Sequence, residues 1–65
     1  MGGDPVMVAA TLAVLGLPAE RYLTTTDADE RLVLGALARK GAQVLDTLQR
    51  NQAVHIANAM VKAKL

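Results

Sequence analysis

Residues 26–50, TDADERLVLGALARKGAQVLDTLQR, decide how the chain is built. Leu34, Leu37, Gly41, Leu45 and Leu48 recur there at three- and four-residue spacing, while Arg39, Gln43, Asp46 and Arg50 keep the same period on the opposite side. An apolar stripe backed by a wet one at that period is an amphipathic helix. Thr26 and Asp29 have the spacing of a capping box, and Asp27, Asp29 and Glu30 place negative charge where a helix dipole favours it. A helix therefore starts at Asp27. Its expected core face is Leu34, Leu37, Leu45 and Leu48, turned toward Leu12 and Leu15 or their equivalents in another copy.

Glycine inside a helix costs about 1 kcal/mol relative to alanine, so Gly35 and Gly41 read as points of close approach to a neighbouring helix. Asp46 and Arg50 have the i, i+4 spacing of a surface ion pair. Beyond Arg50 the polar residues Asn51, His55, Asn58 and Lys62 keep the period but start one residue later, which turns the stripe by about 100°. The apolar side moves with it, to Ala53, Ile56, Ala57 and Met60. Either the chain bends near residues 50–52, or one helix over residues 27–63 presents two apolar directions. Absence of Gly and Pro from the segment favours continuity. Such a helix would be about 55 Å long, more than a compact fold of this size can bury, so continuity goes with assembly.

Upstream, Asp4 and Pro5 form a start signal, a carboxylate able to cap free N–H groups followed by a residue pre-set for the first helical position. From Val6 to Leu15 every residue but Thr11 is apolar, and Gly16 offers a left-handed stop. This helix, residues 5–15, has no wet face and must be covered by its own chain, by other copies or by a partner; burial between copies is the expectation. It is far shorter than the roughly 20 residues that span a bilayer. Asp4 stands where a signal peptide would carry basic residues. Residues 18–23 read as a short connector helix with Pro18 at its first position and Tyr22 and Leu23 as apolar pegs, and Thr24, Thr25 and Thr26 interrupt it. The fold class is all-α in one domain over residues 1–65: a short apolar N-terminal helix, a short connector helix, then a long C-terminal helix.

A chain of 65 residues makes only a small core and usually needs a staple. Disulfides are excluded because there is no cysteine, and a single histidine makes structural zinc a poor fit. Association is the staple that remains. The net charge of +1 is unevenly placed: residues 1–31 carry five acids against two bases, −3, and residues 32–65 carry five bases against one acid, +4. Ordinary helix-dipole design explains much of that; head-to-tail contact between copies, or a basic end on nucleic acid, are the sharper alternatives.

Chemistry is sparse. The chain has no serine, no cysteine, no Gly-rich phosphate loop and no metal-ligand spacing. Asp27, Asp29 and Glu30 sit where helix capping wants them, and His55, with Asn51 and Asn58 on its face, reads as a surface or interface residue. The expectation is a non-enzyme with no cofactor, no metal and no small-molecule substrate.

The segment Asn51-Gln52-Ala53-Val54-His55-Ile56-Ala57-Asn58-Ala59-Met60, together with Leu15-Gly16-Leu17-Pro18, resembles short helical proteins from the structural gene modules of tailed phages of high-GC bacteria. The resemblance implies a virion or virion-assembly component used in several copies, in the cytoplasm or the virion, and carries no site residues with it. A structural protein acting through helix-mediated contacts, as a homo-oligomer or within a larger assembly, is thus the leading expectation. Its candidate interface is Val6, Val8, Leu12, Leu15, Leu34, Leu37, Leu45, Leu48, Ile56 and Met60. The alternative is a small nucleic-acid-binding regulator with Arg39, Lys40, Arg50, Lys62 and Lys64 on phosphates. A membrane-surface peptide is disfavoured by the lack of a basic polar face on the first helix.

Overall fold

Asp4 caps the first helix as its sequence requires: its carboxylate accepts from the Val6 N–H at 3.0 Å, and Pro5 takes the first turn. The structure, a computed structural model, describes residues 4–64. Among them are four helices and no strand: α1 (Pro5–Val14), α2 (Ala19–Thr24), α3 (Ala28–Ala42) and α4 (Thr47–Lys64). Gly16 ends α1 with φ at +77°. Its N–H bonds Ala13 O at 3.1 Å and the Leu17 N–H bonds Leu12 O at 2.8 Å, the paired bonds of a Schellman closure. That closure folds Leu17 back into the same apolar cluster as Leu12.

The helix without a wet face is the middle of the fold. On one side Ala10 meets Ala53 and Ala57 of α4, with Val6, Met7, Val14 and Ile56 packed around them. On the other, Leu12 meets Leu34 and Ala38 of α3, with Val8, Leu17, Ala19 and Tyr22. Alanine on both sides of the first contact lets α1 and α4 approach closely. Ala9, Ala10 and Leu12 are wholly shielded from solvent, and Thr11, the one polar residue, satisfies its hydroxyl by donating to Met7 O at 2.8 Å. Burial of α1 between copies is thereby corrected: α2, α3 and α4 of the same chain cover it.

The single helix over residues 27–63 is also corrected. After Ala42 the N–H groups of Gln43, Val44 and Leu45 bond back three residues, to Lys40, Gly41 and Ala42, which tightens the turn and stops the helix. Asp46 then restarts it, accepting from Gln49 N–H at 2.7 Å while Gln49 Oε1 accepts from Asp46 N–H at 3.1 Å. This is a complete capping box. The break thus falls at residues 43–46, not near 50–52, and α4 runs unbroken through Asn51. No 55 Å rod forms; the molecule measures 31 × 31 × 23 Å.

Two smaller shifts have local causes. Pro18 is the cap of α2 and not its first helical residue, and α2 ends at Thr24. Asp27, not Thr26, caps α3, its carboxylate accepting from Asp29 N–H at 2.9 Å and Glu30 N–H at 3.3 Å. Asp29 therefore contributes charge to the first turn, with no capping-box role. Gly41 fits its expectation: a Cβ there would overlap the Leu15 side chain, which rests on the bare backbone. At Gly35 a Cβ would stand 3.8 Å from both the Tyr22 ring and the Arg39 guanidinium, so packing does not demand glycine there.

Candidate functional site

Where α2 meets α3, three threonines and a run of acids build the most polar junction of the fold. Glu30 accepts from Arg21 Nε at 2.9 and 2.8 Å and from the Thr25 hydroxyl. Thr25 Oγ1 in turn accepts from Asp27 N–H at 3.1 Å, and Arg31 donates to Thr25 O at 3.0 Å with its guanidinium 5.8 Å from the Tyr22 ring centroid. Thr25, Thr26, Asp27, Ala28 and Arg31 line a shallow open hollow beside this network. The Thr25 hydroxyl and then the Arg21 guanidinium hold the Glu30 carboxyl below its ordinary value, outweighing partial burial. These groups are spoken for: Glu30 ties α2 to α3 and Asp27 caps α3. The junction is a clip: of the three acids expected to cap α3 only Asp27 does so, while Glu30 bonds Arg21 and Thr25 and Asp29 adds charge to the first turn.

The candidate interface divides sharply by exposure. Leu12, Leu34 and Leu45 lie in the chain's own core. Val6 and Ile56 are half-buried at the α1–α4 contact, Val8 at the α1–α3 contact, Leu15 over Gly41, and Met60 is half-buried on α4. Only Leu37 (43% exposed) and Leu48 (72%) face solvent. Their expected burial is corrected for two reasons. The buried line of α3 runs through Leu34 and Ala38, which leaves Leu37 at its margin. The new start at Thr47 resets the phase, so that α4 buries Ala53 and Ala57 and turns Leu48 outward.

The stripe also concealed a second one. Leu32 (67% exposed), Val33 (58%) and Ala36 join Leu37 on the solvent side of α3, with Asp29 before them and Lys40 after. Positions 29, 32, 33, 36, 37 and 40 are i, i+3, i+4 neighbours, so they form one continuous face. Val44 lies exposed in the turn beyond it. The repeat of paired residues at 32–33 and 36–37 was the signal available in the sequence.

Arg39 and Lys40 are exposed but adjacent, so they project about 100° apart; Arg50 and Lys62, both exposed on α4, lie about 120° apart around its axis. Lys64 falls in the last turn of α4. His55, Asn51 and Asn58 are exposed on α4. Among the described residues no three His, Asp or Glu side chains converge as a metal site, and no helix is long and apolar enough to cross a membrane. No protein family, curated protein or solved structure matches the chain.

Proposed function

We propose that this chain is a non-enzymatic structural or assembly protein that works through helix-mediated contacts with copies of itself or within a larger protein assembly. One observation carries it: once α1 is enclosed by its own chain, large aliphatic side chains remain in water, Leu32, Val33 and Leu37 together on the outer face of α3 with Val44 in the turn that follows, and Leu23, Leu48, Val54 and Val61 on α2 and α4. Leu32, Val33, Leu37, Val44 and Leu48 are a heavy apolar load for the surface of so small a domain. Covering them removes the area from water at about 25 cal/mol per Å². The likeness of residues 51–60 and 15–18 to short helical proteins of tailed-phage structural modules fits such a role, as a virion or virion-assembly component. Phosphate contact by Arg39, Lys40, Arg50, Lys62 and Lys64 is less favoured, since Arg39 and Lys40 diverge by about 100° around α3 and Arg50 and Lys62 by about 120° around α4.

Sedimentation equilibrium of the isolated chain over a wide concentration range tests the proposal. The expected result is a weight-average mass that rises above the monomer with concentration. A monomer throughout the range would overturn self-assembly.

A further inference from the structure

The outer face of α3 has a sequence that complements itself when reversed. In order it presents an acid, Asp29, then Leu32, Val33, Ala36 and Leu37, then a base, Lys40. All six are exposed. The midpoint of this pattern falls level with the Leu34–Gly35 peptide, residues that themselves point into the core. A two-fold axis passing there would bring a second α3 across the first in the opposite direction. Asp29 then lies against Lys40 of the second copy, Leu32 against its Leu37 and Val33 against its Ala36. The two-fold symmetry makes each of these contacts twice, as an isologous interface must. A parallel arrangement would oppose Asp29 to Asp29 and Lys40 to Lys40, and is disfavoured by like charge at both ends.

We infer that a second copy of this chain docks on the outer face of α3, antiparallel and two-fold, with Asp29–Lys40 ion pairs at both ends of an aliphatic seam. The inference rests on the assembly role proposed above and specifies the surface and geometry through which it acts. Spacing suits it: rows at i, i+3, i+4 and i+7 are those by which antiparallel helices interlock. With 15 residues α3 is about 22 Å long, so a single helix crossing gives a small interface and a reversible dimer instead of an obligate one. Among the described residues neither Asp29 nor Lys40 enters a salt bridge within the chain, leaving both charges free for the partner.

Reversing one charge at a time tests the geometry. Asp29→Lys makes each copy basic at both ends of the seam, and Lys40→Asp makes each acidic at both ends. Sedimentation should show each variant dimerising about tenfold or more weakly than the parent, while an equimolar mixture of the two recovers association as a heterodimer, because every end contact is again opposite in sign. Circular dichroism of each variant shows that α3, still capped by Asp27, is folded. Recovery in the mixture also requires folded chains, so misfolding cannot imitate it. Single variants that associate as the parent does would place the contact elsewhere and leave the assembly role standing. Weakening without recovery in the mixture would overturn the antiparallel pairing. A parent chain that stays monomeric would overturn the pairing together with the self-assembly on which it rests.

Discussion

Asp46 and Gln49 each accept the other's backbone N–H, at 2.7 and 3.1 Å, and this exchange divides the C-terminal half of the chain into two helices. Without it α3 and α4 would share one axis and could not both lie on α1. Loss of a cap costs about 1 kcal/mol, so Asp46→Ala should lower the midpoint of thermal unfolding by about 4–8 °C. Gln49→Ala likewise removes one of the two bonds, but the longer one, 3.1 against 2.7 Å, and should cost less. An unchanged melt for Asp46→Ala would mean that the break is held by packing alone.

The two helical glycines should respond in opposite ways. Gly35→Ala gains helix propensity and sets its Cβ at contact distance from Tyr22, which should raise stability by about 0.5–1 kcal/mol in urea unfolding. Gly41→Ala has the same propensity gain but drives Leu15 off its seat, so it should be neutral or destabilising. Equal gains at both positions would show that Leu15 does not depend on Gly41.

Truncations should separate core from surface. Leu12→Ala, at a wholly buried position between α1 and α3, should cost about 2–5 kcal/mol. Leu48→Ala, measured on dilute protein, should stay within about 0.5 kcal/mol. Leu37→Ala should fall between them, since Leu37 is at the margin of the buried line. A Leu48→Ala loss as large as that of Leu12→Ala would contradict the phase of α4.

Acid should loosen the junction of α2 and α3. The folded state holds the Glu30 carboxyl below its ordinary 4.5, so its contribution to stability is present above that pH and is lost as pH falls through the lowered folded value. Glu30→Gln should therefore flatten the loss of stability on acidification below about 4.5 while leaving the other carboxylates to titrate. An acid limb identical to the parent's would show that the Arg21–Glu30–Thr25 clip is not formed in solution.

Much of this fold could be read from local chemistry. Asp4-Pro5 and Gly16 bracket α1 because caps and left-handed stops act on their immediate neighbours, and Ala53, Ile56, Ala57 and Met60 mark the inward side of α4 by period alone. Three features escaped. An apolar run such as Val6–Leu15 carries no direction, so nothing in it distinguishes cover by the same chain from cover by another. The repeat at Leu34, Gly41, Leu45 and Leu48 continues in register across the turn at residues 43–46, and Asp46 looked like the partner of Arg50 when it was the cap paired with Gln49. Leu37 belongs to the edge of two stripes, which hid the outer face of α3 behind the inner one. The candidate interface consequently mixed three core residues, Leu12, Leu34 and Leu45, with half-buried ones and only two, Leu37 and Leu48, that are exposed.

In the proposed assembly, folding hides α1 and the outer face of α3 makes the contacts. Sedimentation equilibrium of Val33→Glu combined with Leu37→Glu, alongside circular dichroism, tests it most directly, because both side chains are exposed and neither joins the buried clusters. The expected result is a helical, cooperatively melting chain that is monomeric at concentrations where the parent associates. A double variant that associates as strongly as the parent, or that loses its helical fold, would contradict it.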